Sequence, residues 1–186
     1  MKFFCFFLFT KRRLFLSCPF RPTVHENPKE DAMSEWKLAP KMPQWMIDHV
    51  ARYQSSGGTD GHMYDVTPPG YGPMTVPALL LVTVGRKSGE KLIFPLFYGE
   101  VGDGFVIIAS KGGAPDHPSW YKNLLANPEA EIQVGTRTLR VRARTAAGEE
   151  RARLWQQSLG FWPPYADYQK KVPEREIPVV MLEPIG

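Results

Sequence analysis

Ala78-Leu79-Leu80-Leu81-Val82-Thr83-Val84 runs into Gly85-Arg86-Lys87-Ser88-Gly89, and Leu92-Ile93-Phe94-Pro95-Leu96-Phe97-Tyr98 runs back out. Two apolar runs of strand length around a glycine-bounded turn specify an antiparallel hairpin. The first run is apolar throughout and reads as a strand buried on both faces. Pro95 lacks a backbone donor and marks an edge or a bulge in the second. Gly102-Asp103-Gly104 turns the chain into a third strand ending at Ile107-Ile108. Further on, Glu131-Ile132-Gln133-Val134 and Leu139-Arg140-Val141-Arg142-Ala143-Arg144 alternate about Gly135-Thr136, a second hairpin with one wet face. Ile177-Pro178-Val179-Val180-Met181-Leu182 supplies a closing strand. Helices are expected over residues 44–53, 118–126 and 149–159, and a short one opens at Pro163-Pro164. Residues 55–77, rich in Gly, Pro, Asp and Thr, read as a loop. Antiparallel hairpins broken by one helix and closed by a late strand give an α+β fold, a small barrel with helices packed on it. The βαβ alternation and glycine fingerprint of a dinucleotide-binding doubly wound sheet are absent.

The chain has 186 residues, 43% hydrophobic and 23% charged, the balance of one soluble domain. Its net charge of +4 is concentrated before Met33, so the body is near neutral and nucleic acid is not an expected partner. Both cysteines, Cys5 and Cys18, also lie before Met33, which removes disulfide, thiolate and cysteine–metal chemistry from the body. His25, His49, His62 and His117 show no ligand spacing, and no metal site is expected. Residues 1–32 carry a short apolar run, Phe3 to Phe9, interrupted by Lys11-Arg12-Arg13, which is too broken to span a bilayer. Met33-Ser34-Glu35 reads as a natural start, making residues 1–32 an upstream extension that is untranslated or unstructured. The other reading is a basic, aromatic arm touching a membrane surface. The expected organisation is therefore 1–32 extension, 33–75 helix and loop, and 76–186 barrel. The expected location is the cytoplasm, with peripheral contact at the inner face of the cell membrane as the alternative.

Nothing in the chain makes a nucleophile–base set or a pair of catalytic carboxylates, so any catalysis belongs to a bound cofactor that the protein positions. Two basic, glycine-flanked segments suit that task. Arg86-Lys87-Ser88 offers a fork, a point charge and a hydroxyl to a phosphate, although such a turn alone is more often simply solvated. Ala109-Ser110-Lys111-Gly112-Gly113 ends a strand, and Pro118-Ser119-Trp120-Tyr121-Lys122-Asn123-Leu124 opens a helix; backbone N–H groups at such a junction can hold an anion or a ring edge. Trp120, Tyr121, Trp162, Tyr165 and Tyr168 can frame a flat ring or fill a core.

Taken together and in order, Gly85-Arg86-Lys87-Ser88-Gly89, Pro95, Ala109-Ser110-Lys111-Gly112-Gly113, Trp120-Tyr121 with Asn123-Leu124, Pro164-Tyr165 and Tyr168-Gln169 resemble the deazaflavin-dependent nitroreductase family. The resemblance runs from about Val76 to the C-terminus. It implies a split β-barrel, coenzyme F420 as the cofactor, and reduction of quinones or nitroaromatic compounds. It further implies that Arg86, Lys87 and Ser88 bind the phosphate and acidic tail, and that Ile108, Ala109, Ser110 and Lys111 line the deazaflavin. Ser119, Trp120, Tyr121, Lys122 and Asn123 would hold its other side, and Tyr165 and Tyr168 would close the pocket and act on the acceptor. Two positions depart from the pattern. Leu92 stands where family members often carry arginine, with Lys91 as a partial substitute, and Trp162 stands where a relative that reduces a nitro drug carries tyrosine. Rival readings are a flavin mononucleotide enzyme of the same barrel class and a non-catalytic carrier of the cofactor.

Overall fold

The computed structural model describes residues 36–186. The expectations for residues 1–32 lie outside the described residues.

Eight strands are present: β1 (Lys37–Leu38), β2 (Met63–Val66), β3 (Met74–Val84), β4 (Lys91–Val101), β5 (Gly104–Ile108), β6 (Glu129–Val134), β7 (Arg137–Thr145) and β8 (Val179–Pro184). Their order is β1-β4-β5-β8-β7-β6-β3-β2, and β3 also pairs with β4. That extra pairing closes β3, β4, β5, β8, β7 and β6 into a six-stranded antiparallel barrel, the split β-barrel expected from the sequence. Helices α1 (Gln44–Ser55), α2 (Ser119–Ala126), α3 (Gly148–Phe161) and α4 (Pro164–Lys171) pack around it.

The uninterrupted apolar run of β3 has the cause expected of it. Leu79 and Leu81 point into the barrel with Ile107, Ile132, Val180 and Leu182, while Leu80 and Val82 point outward under Val50 and Tyr53 of α1. β5 behaves alike: Phe105 and Ile107 face inward, and Val106 and Ile108 lie beneath α3 and α4. Trp120, Tyr121 and Leu124 of α2 join the interior cluster. Burying apolar side chains on both faces of a strand is the main source of stability here, at about 25 cal/mol per Å² removed from water.

Pro95 pairs with Leu80 of β3 on one side. On its other side, β1 pairs only with Leu92 and Ile93, and β5 begins its pairing at Tyr98. The missing N–H therefore falls in a gap between two partners, a local edge inside a central strand. The loop expected over residues 55–77 needs correction: Met63–Val66 is a strand, and β3 begins at Met74. Four residues bounded by glycine and proline carry too little pattern to be read alone; their strand character comes from pairing with β3. The expected boundary at residue 76 consequently falls within β3. Pro118 stands one residue before α2 in an extended conformation rather than at the first helical position.

Among the described residues no helix is long and apolar enough to cross a membrane.

Candidate active site

The segment between β5 and α2 turns sharply. Lys111, Gly112 and Gly113 have φ of 50°, 64° and 79°, three consecutive left-handed residues. Only glycine takes that region freely, so Lys111 is held there by its surroundings. The holding group is Arg175, from the connection between α4 and β8. Its guanidinium donates to the carbonyl oxygens of Ala109 (3.2 Å), Ser110 (3.0 Å) and Ala114 (2.7 Å). It also lies 3.2 Å from Nδ1 of His117, which must accept because arginine only donates. Burial and the adjacent Arg175 charge lower the His117 pKa, consistent with a neutral ring. The N–H groups of Gly113 and Ala114 close the turn onto Ser110 and Lys111.

Gly113 also touches α4. A Cβ there would stand 2.8 Å from the Tyr168 carbonyl oxygen, at a φ of +79°. Gly113→Ala should therefore destabilise the protein by about 2 kcal/mol, combining left-handed strain with a backbone clash. Chemical denaturation checks this; an unchanged midpoint would show that the turn and α4 move apart freely.

The β3–β4 turn is exposed at Arg86, Lys87 and Ser88. It is nonetheless ordered by α2. Asn123, buried, accepts at Oδ1 from both the backbone N–H and Nη1 of Arg86, each at 3.2 Å, and donates from Nδ2 to Thr83 at 3.0 Å. A Cβ on Gly85 would meet Ser88 Oγ at 2.6 Å, a clash that rotation of the serine hydroxyl relieves. The two basic segments singled out in the sequence are thus joined through one short helix. Lys122 sits half-buried on it, 3.9 Å from Asp116, and Ser119 is exposed at its start.

An aromatic face lies on the outer side of β5 and β8. Trp162 packs on Phe97 with ring centres 4.6 Å apart, and Tyr165 meets Trp155, Phe161, Trp162 and Tyr168. Ile108 belongs to the same cluster. Tyr165 and Tyr168 share a side of α4, as their spacing requires, with ring centres 6.2 Å apart and edges turned to faces. Burial, reinforced by Tyr168, pushes the Tyr165 hydroxyl far above the ordinary phenol range, so it stays protonated at neutral pH.

Several expected contact residues are buried or already bonded within the protein. The rings of Trp120 and Tyr121 are buried in the barrel cluster at 4% and 7% exposure, and Tyr121 bonds Thr145 at 3.1 Å. Those rings therefore do not front an open surface. Asn123 has both ends of its amide engaged, to Arg86 and to Thr83. Ala109 is fully buried, its N–H bonded to Pro178 and its carbonyl to Arg175. Lys91, the partial substitute for an arginine at Leu92, pairs with Glu131 at 3.1 Å. What remains open to a ligand is Arg86, Lys87, Ser88, Lys111, Ser119, part of Lys122 and Tyr168. Arg175 escaped the sequence reading; a lone arginine in Pro173-Glu174-Arg175-Glu176 has no local signal. Two surface concavities are present, one along Asp65–Thr67 and Pro73–Thr75 at the base of the β2–β3 loop, the other between Val82–Val84 and Arg140, and the residues expected from the sequence line neither. An open cationic face along a helix is a shallow surface, and the hydrogen-bond geometry identifies it better than depth does. No cluster of three metal-ligating side chains occurs among the described residues.

Residues 45–184 match the family model of F420H2-dependent quinone reductase. The chain belongs to that family. An F420H2-dependent quinone reductase of Mycobacterium tuberculosis is 39% identical over 137 residues, covering 72% of this chain and 86% of the relative. A solved F420-H2 dependent reductase (FDR-A) is 44% identical with a TM-score of 0.54, over 57% of this chain and 94% of its own. A second solved structure, described as a domain-swapped dimer, is 39% identical with a TM-score of 0.56, over 75% and 98%.

Proposed function

We propose that this F420H2-dependent quinone reductase family member binds coenzyme F420 along α2 and reduces a quinone at the aromatic face. The observation that carries the reading is the junction of the two basic segments through Asn123, with Tyr168 against Gly113 of the Lys111 loop. The donor set suits this cofactor. Its acidic tail requires cations and hydroxyls in the open, and Arg86, Lys87 and Ser88 are exposed. Its flat ring requires a backbone edge, and the N–H groups of Lys111 and Gly112 take no part in the hydrogen bonds that close the turn. F420, reduced and bound, supplies a hydride that with one proton converts a quinone to a hydroquinone.

The protein's own part is placement and charge. Arg86 and Lys87 anchor the tail, and Asn123 fixes the direction of the Arg86 fork. Arg175 holds the ring-facing loop in its left-handed conformation. Ile108 supports that loop from beneath, while Ser110, Ser119 and Lys122 border it. Phe97 and Trp162 exclude water from one side of the aromatic face. The half-buried Tyr168 hydroxyl donates a hydrogen bond to a developing oxyanion, and Tyr165, buried at 5% exposure, backs it from within the aromatic cluster. Nitroaromatic compounds are a second acceptor class with the same planarity. Membrane contact by the leading residues, the alternative reading of that segment, would bring a lipid-borne quinone within reach.

Tyr165→Phe and Tyr168→Phe keep ring volume and remove the hydroxyl. Turnover with menadione should fall roughly 10- to 100-fold in at least one, with melting nearly unchanged. Loss of stability on the order of 1 kcal/mol with unchanged turnover would instead assign the hydroxyls to packing. Anaerobic oxidation of reduced F420 by menadione tests the activity itself: cofactor binding without any quinone or nitro compound being reduced supports the carrier reading.

A further inference from the structure

The β2–β3 hairpin brings a second element to the aromatic face. Val66 and Met74, at the two ends of its loop, pack against the cluster that holds Trp162 and Tyr165, alongside Phe97 and Tyr168. The loop between them, Thr67-Pro68-Pro69-Gly70-Tyr71-Gly72-Pro73, is stiffened by three prolines, one of them buried at Pro68. A turn bond from Tyr71 N–H to the Pro68 carbonyl shapes its tip. At that tip Tyr71 donates its hydroxyl to Oδ2 of Asp167 at 2.7 Å, across 96 residues of sequence. Asp167 lies on α4 between Tyr165 and Tyr168, and its other oxygen takes Lys170 at 3.1 Å. A phenol-to-carboxylate bond of that length is charge-assisted and directional.

We propose that the 67–73 loop is the outer wall of the acceptor site, and that the Tyr71–Asp167 bond latches it to α4 and so limits the size of the quinone admitted. The inference rests on the assignment of the aromatic face to the acceptor. The walls it names, Val66, Met74, Phe97, Trp162 and Tyr168, are apolar or aromatic and suit a neutral planar ring. With the latch closed, a compact ring is enclosed on its outer side. With it open, the loop can swing from α4 and admit a ring that carries a long tail. Tyr71 and Asp167 are positioning residues: neither needs to touch the reacting atoms.

The test uses Tyr71→Phe, Asp167→Asn and the double variant in the full chain. Two acceptors are compared, menadione and a naphthoquinone bearing an isoprenoid tail. Each single variant should raise the kcat/KM ratio of tailed to tail-free quinone by about threefold or more, through KM, and the double variant should do no more than the singles. F420 affinity should stay at the wild-type value. An unchanged ratio, additive effects, or a loss confined to F420 affinity would overturn the latch. Calorimetric binding of menadione to protein loaded with oxidised F420 reads the same wall without turnover, and should weaken by about threefold in both singles. If the wild type reduces no quinone, the functional assignment fails, and this binding measurement still judges the latch. Equal menadione affinity in wild type and variants, or no menadione binding at all, would overturn it.

Discussion

Arg175→Met should cost about 2–4 kcal/mol of stability and most of the cofactor affinity in the same variant. Three carbonyl oxygens, those of Ala109, Ser110 and Ala114, lose a charged donor at once, Ser110 keeping only the Gly113 N–H, and each bond to a charged donor is worth about 1.5–3 kcal/mol before relaxation. The loop they belong to carries the left-handed Lys111, whose conformation is then held by the two backbone turn bonds alone. Methionine keeps most of the stem's packing, so the loss reports on the fork. Arg175→Lys restores the charge but not the planar geometry, and should recover only part of both quantities. Denaturant titration and F420 titration on the three proteins, at a temperature where all are folded, check this. A stable methionine variant with unimpaired F420 binding would remove the loop from the cofactor site.

The second large effect is expected at the β3–β4 turn. Replacing Arg86 and Lys87 together by alanine should weaken F420 binding by about 1–3 kcal/mol, roughly 5- to 150-fold, while leaving stability almost unchanged. The turn is exposed, so the loss should shrink as salt rises and the Debye length contracts. Lys87→Ala alone separates the point charge from the Arg86–Asn123 contact, which that variant keeps. Unchanged affinity at low ionic strength would return the turn to an ordinary solvated one.

The barrel was legible wherever hydrophobic pattern and turn chemistry agreed. The Ala78–Tyr98 hairpin, the Gly135 hairpin and the late strand all carry strong local signals, and each stands where expected with ends shifted by a few residues. β1 and β2 were missed because two and four residues have no pattern of their own; partners elsewhere in the sheet make them strands. At the site, the segments marked in the sequence are joined in the fold, but several of their side chains are engaged inside the protein. Trp120 and Tyr121 lie in a marked segment, but their spacing on α2 sends them into the barrel. Asn123 is polar and stands beside charged residues, yet its amide is engaged inside the protein. Arg175 and the Tyr71–Asp167 bond act across 58 residues or more, and no window along the chain contains both partners.

Cofactor identity is the point on which everything else rests. Purified protein titrated side by side with F420 and flavin mononucleotide, under identical buffer and salt, decides it. Tighter binding of F420, weakened by the Arg86/Lys87 double replacement, is the result predicted here. Tighter binding of flavin mononucleotide, or F420 binding indifferent to that replacement, would contradict the account.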